Sequence, residues 1–113
     1  MILEFKNKKI QKQCENPSDA QKVYGAKIGN KLTLRVTQLI AAQNLSDIKH
    51  IPAARLHKLS GKRANEYAVD LVHPFRLVFT PVFEDGNETD KLESINIVRI
   101  EEVTDYHGKQ KCK

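Results

Sequence analysis

Three short stretches of this chain carry side chains able to do chemistry. The first is Arg55-Leu56-His57-Lys58-Leu59, closely followed by Lys62 and Arg63. Cleaving a phosphodiester needs cations near the phosphate and a titratable group to move a proton, and an imidazole among lysines and arginines supplies both. A lone histidine on a strand is usually structural, and its basic company is what favours chemistry here. The second is Arg76, set between apolar neighbours in Phe75-Arg76-Leu77-Val78-Phe79. On a strand whose flanking residues turn inward, Arg76 points to the other face. There it is either an ordinary surface arginine or a planar guanidinium suited to gripping a phosphate with two hydrogen bonds. The third is Asp105-Tyr106-His107, a carboxylate, a phenol and an imidazole in three residues. Alternation allows Asp105 and His107 to share a face, the carboxylate orienting the ring.

Other chemistries find little support. The glycines are scattered and form no phosphate-cradling loop. His50, His57, His73 and His107 lack the spacing of metal ligands. Cys14 and Cys112 stand near opposite ends of the chain, in no Cys-x-x-Cys pair, so neither a zinc site nor a disulfide framework is expected.

At 113 residues the chain is long enough for one domain, over 1–113, with about two-thirds of its unfolded surface buried. Hydrophobic residues at 40% and charged residues at 29% are those of a globular domain rather than a disordered one. No apolar run approaches the roughly 18 residues of a membrane span, and the first residues do not read as a secretory signal. A cytoplasmic protein is expected. The net charge of +5 hides a split: residues 1–63 hold 13 basic and 4 acidic side chains, residues 64–113 hold 6 and 10. A surface basic over its first half favours phosphate-rich partners, although it would also meet an acidic protein.

The elements that must position these residues change character midway. Ile2 to Phe5 suits a first or edge strand, and KNKKIQKQCE a basic helix. Asn16-Pro17-Ser18-Asp19 signals a second helix, with Asn16 as cap, Pro17 in the first turn and Asp19 facing the positive end of the dipole. Its apolar positions, Ala20 through Ile40, recur every three or four residues. Gly25, Gly29 and Asn30 weaken it, a bend or split is expected near Asn30, and Asn44 is expected to end it. Lys27, Lys31 and Arg35 form a basic row on its surface, solvated or used for nucleic acid. From Arg55 onward the period is that of strands: 55–59, 66–71, 75–81 and 95–103. SGKRAN and His73-Pro74 make turns, and EDGNETDKLES a polar loop. Helices first and strands afterwards give an α+β fold, an antiparallel-rich sheet packed on one side by helices.

Together, ARLHKLSGKRANEYAVDLVHPFRLVF and the later INIVRIEEVTDYH resemble the RelE/ParE toxin superfamily. More narrowly they resemble the HigB-like killer toxins of type II toxin–antitoxin pairs. The resemblance is strong over the second half and general over the first. It implies two N-terminal helices on a mixed sheet of four to five strands, like a microbial ribonuclease core. The implied activity is ribosome-dependent cleavage of mRNA, by attack of a ribose 2′-hydroxyl on the adjacent phosphate, without metal or cofactor. His57 and His107 would then transfer protons, Asp105 assist His107, Tyr106 stack on or position the RNA, and Arg76 steady the phosphorane. Lys58, Lys62 and Arg63 would bind the RNA backbone. The implied partners are the ribosome, mRNA and a helix-turn-helix, HigA-like antitoxin through which the pair meets operator DNA. Two features depart from the family. GKQKCK continues past His107, and the acidic loop from Glu84 to Ser94 is long and would repel RNA if it lay beside the cleft.

The same scaffold supports a ParE-like inhibitor of DNA gyrase, and a non-catalytic module that binds nucleic acid or antitoxin. The set of His57, Arg76, Asp105, Tyr106 and His107 favours the nuclease, since a gyrase binder needs no acid–base pair.

Overall fold

The computed structural model describes residues 1–105. Strand β1 (Ile2–Phe5) leads into helices α1 (Lys8–Glu15), α2 (Pro17–Ala41) and α3 (Leu45–Lys49). Strands β2 (His57–Lys58), β3 (Tyr67–Asp70), β4 (Phe75–Pro81) and β5 (Ile97–Asp105) follow. Among the described residues these strands form a mixed sheet in the order β1-β5-β4-β3-β2. β1 runs parallel to β5, and the other pairs are antiparallel. This is the expected α+β architecture.

Local chemistry accounts for the helix starts. Asn7 accepts from the Ile10 amide at 2.9 Å and opens α1. Asn16 accepts from the amides of Ser18 and Asp19, and Pro17 occupies the first turn of α2, as the sequence implied. The bend in α2 differs from expectation. It falls at Gly25, whose φ of 85° and ψ of 165° are open to glycine alone, and not near Asn30. The chain turns back sharply there. A Cβ on Gly29 would stand 2.8 Å from the main chain of Gln21, eight residues earlier, whereas a straight helix separates such residues by about 12 Å. Gln21 also donates to the Asn30 side chain at 2.8 Å across the corner. Asn44 does not end this helix, which stops at Ala41. Asn44 instead caps α3 by accepting from the Ser46 amide at 3.0 Å.

One face of the sheet lies under the helices. Tyr67, Val69, Leu77, Phe79, Ile100 and Val103 meet Ile10, Leu32, Val36 and Leu39 there in a hydrophobic cluster. The alternate residues, Ala68, Asp70, Arg76, Val78 and Thr104, therefore belong to the other face. A bulge in β5 preserves this arrangement: Val78 faces Glu102 while Phe79 faces Ile100, leaving Glu101 as the extra residue.

Arg35 does not lie on a solvated basic row with Lys27 and Lys31. It is buried, and donates from Nε to the Asp70 carbonyl at 2.7 Å and from a terminal nitrogen to the Ala53 carbonyl at 3.0 Å. Burial lowers its pKa, and Asp70 opposes that shift. The charge is retained because an arginine keeps its proton well above neutrality. One guanidinium thus ties α2 to the end of β3 and to the turn that precedes β2.

Candidate functional site

β2 is two residues long, so His57 and Lys58 face opposite sides of the sheet. His57 is paired with Ala68, and Arg76 with Asp70, which puts His57 and Arg76 on the face away from the helices. They stand two strands and two residues apart, about 12 Å between Cα atoms from standard sheet spacings.

The local backbone constrains the histidine. Its Nδ1 lies 2.6 Å from the Arg55 carbonyl oxygen. A carbonyl only accepts, so Nδ1 carries the hydrogen, and in the neutral ring Nε2 holds the lone pair. Arg55 is in the left-handed region, with φ of 47°, at the end of a short turn beginning at Pro52. Its guanidinium pairs with the Asp70 carboxylate at 3.3 Å. Asp70 thereby connects buried Arg35, through its carbonyl, to Arg55, through its side chain, and so to the carbonyl that holds His57. Sequence reasoning named neither Asp70 nor Arg35 for this role. Their signal was an alternation and a helical row, both of which read as ordinary surface.

The remaining expected residues separate. Lys58 is exposed, with its Nζ 6.0 Å from the centre of the Tyr67 ring, and Lys62 is exposed on the following turn. Arg63 is already matched by two carboxylates: it pairs with Glu66 and, at 2.6 Å, with Glu102. Hydrogen bonding to Glu66 raises its pKa. Asp105 is buried and registered with Phe75, so it lies on the helix-side face rather than with Arg76. Tyr106 and His107 lie outside the described residues. The acidic loop sits beside Lys58: Glu88 and Asp90 line a cavity with Lys58 and Tyr67. Cys14 is no nucleophile, since burial, with a smaller effect from Glu15, pushes its thiol up to about 12.

The chain matches a family model described as the RelE-like toxin of the type II toxin–antitoxin system HigB, over residues 3–97. It belongs to the HigB-like toxin family. The match includes His57, Lys58, Lys62, Arg63 and Arg76 of this toxin, and stops before Asp105. No curated protein matches it. As a type II toxin it has an antitoxin for a partner. Among the described residues no helix is long and apolar enough to cross a membrane.

Proposed function

We propose that this toxin is a ribosome-dependent mRNA endonuclease of the cytoplasm that needs no metal or cofactor, held in check by a helix-turn-helix, HigA-like antitoxin. The observation that carries the reading is the pairing of His57 and Arg76 on one sheet face, with the histidine held by its Nδ1 hydrogen. A base must present a lone pair to the proton it removes, and with the hydrogen on Nδ1 that lone pair is on Nε2. In this mechanism His57 takes the proton of a ribose 2′-hydroxyl, and the oxygen attacks the adjacent phosphorus. Arg76 bridges the oxygens that gain charge in the phosphorane. His107 gives a proton to the departing 5′-oxygen, leaving a 2′,3′-cyclic phosphate and a 5′-hydroxyl. Asp105 is buried on the helix-side face, so it touches neither the RNA nor the phosphate and only anchors the chain that leads to His107, while Tyr106 stacks on or positions the RNA. Lys58 and Lys62 hold the flanking backbone. Arg63 contributes less to RNA than its charge implies, because Glu66 and Glu102 already balance it.

Primer extension on a defined mRNA, translated in a purified system, tests this. Discrete cuts are expected with ribosomes and none without them. His57→Ala is expected to slow cutting by about 10²-fold or more, the usual worth of a general base. Intact mRNA in the presence of toxin that still arrests growth would overturn the reading and direct attention to gyrase.

A further inference from the structure

A cavity of about 340 Å³ opens on the Lys58 side of β2, beneath the acidic loop. Tyr67, Phe83, Lys58, Glu88, Thr89 and Asp90 are among the residues that line it. The volume lies at the small end of ligand sites and suits a single planar group. Tyr67 is buried, and Phe83 is half-buried and packed against the core. Burial, followed by the nearby charge of Asp90, raises the Tyr67 phenol above its ordinary pKa, so the hydroxyl stays a neutral donor.

The position ties this cavity to the candidate catalytic face. β2 ends the strand order among the described residues, and its two side chains point to opposite sides. A strand of RNA crossing that edge meets His57 on one side and the cavity one residue further, at Lys58. The acidic loop is ill suited to RNA only where phosphates are concerned. Carboxylates repel phosphates and accept from N–H groups, so Glu88 and Asp90 match the edge of a base better than they match the backbone.

We propose that the cavity reads a guanine next to the scissile phosphate, with Asp90 and Glu88 supplying its specificity. The proposal rests on the endonuclease reading above. Guanine presents N1–H and N2–H side by side, and one carboxylate takes both as it takes the fork of an arginine. Adenine, cytosine and uracil each place an acceptor next to their donor on that edge, and a carboxylate repels it. Thr89 donates to the guanine O6 or N7 while Lys58 stays with the backbone, and Phe83 stacks on the ring, as aromatic side chains do with unpaired bases.

The test maps cut sites across a transcriptome-derived mRNA pool translated with the full-length toxin. Wild type is expected to favour guanine at one fixed position beside the cut. In Asp90→Asn and Glu88→Gln the ratio of guanine sites to other sites is expected to fall about tenfold or more, the size of one bidentate pair. That ratio is internal to each reaction, so a partly unfolded variant does not mimic it. Cutting with no guanine preference, or a ratio unchanged in both variants, overturns the proposal and leaves the endonuclease standing. An unchanged ratio with weakened antitoxin binding also overturns it, and gives the cavity to a cationic side chain of the partner. If wild type cuts nothing, the endonuclease reading fails, and calorimetry with guanosine 5′-monophosphate decides the cavity alone. Binding by wild type that is lost in Asp90→Asn upholds a guanine site, and no binding removes it.

Discussion

At the scale of single residues, His57 depends on a carbonyl two positions earlier. A left-handed Arg55 is costly for a residue with a Cβ, by about 1–2 kcal/mol, and its ion pair with Asp70 helps to hold it there. That pair is half exposed and contributes little to stability. Its use is geometric. Arg55→Gly accepts the same backbone without strain and keeps the carbonyl, but loses the anchor. Asp70→Asn removes the charge and keeps the main-chain bond to Arg35. Both variants are expected to unfold within a few degrees of wild type and to cut about tenfold more slowly, with partial recovery in Asp70→Glu. Single-turnover cleavage alongside thermal melting checks this, and unchanged rates would remove Arg55 and Asp70 from the positioning of His57.

At the scale of elements, the corner in α2 sets how the helical layer covers the sheet. Residues 17–24 and 26–41 pack against each other closely enough that only hydrogen fits at Gly29. The obstructing atoms are backbone, which a small side-chain shift cannot clear. Gly29→Ala is therefore expected to cost about 1–3 kcal/mol as an overpacked contact, although alanine is the better helix former. Urea denaturation with an unchanged slope is the measurement, and a neutral or stabilising result would mean the corner opens. The sequence carried the glycines but pointed to Asn30, because propensity locates a weak stretch and cannot say which residue takes the left-handed conformation. Asn44 was misread for a related reason. Asparagine serves at either end of a helix, and only the burial of Leu45 and Ile48 makes it a beginning.

At the scale of the molecule, charge is segregated, with 13 basic against 4 acidic side chains in residues 1–63. Folding modifies that excess without abolishing it. Arg35 is spent internally and Arg63 is balanced, while Lys58, Lys62 and the lysines of α1 remain exposed. Binding of a labelled single-stranded RNA to the His57→Ala toxin is expected to weaken about tenfold between roughly 50 and 200 mM salt, as for about three neutralised phosphates. Fluorescence anisotropy across that range checks it, and a flat response would show that these lysines do not meet the backbone.

The sequence by itself determined the α+β class, the start of α2, the strands after residue 66 and the direction of Arg76, because alternation and capping act over a few residues. The strand expected over 55–59 shrinks to His57–Lys58 behind a left-handed Arg55. Its resemblance also led to the toxin family that the match over 3–97 establishes. The rest needed the tertiary structure. Register alone brings His57 and Arg76 to one face and sends Asp105 to the other. Burial alone separates Arg35, a structural tie, from lysines four and eight residues before it on the same helix. Both depend on contacts between residues far apart in the chain, and short-range pattern holds no record of which distant groups will meet.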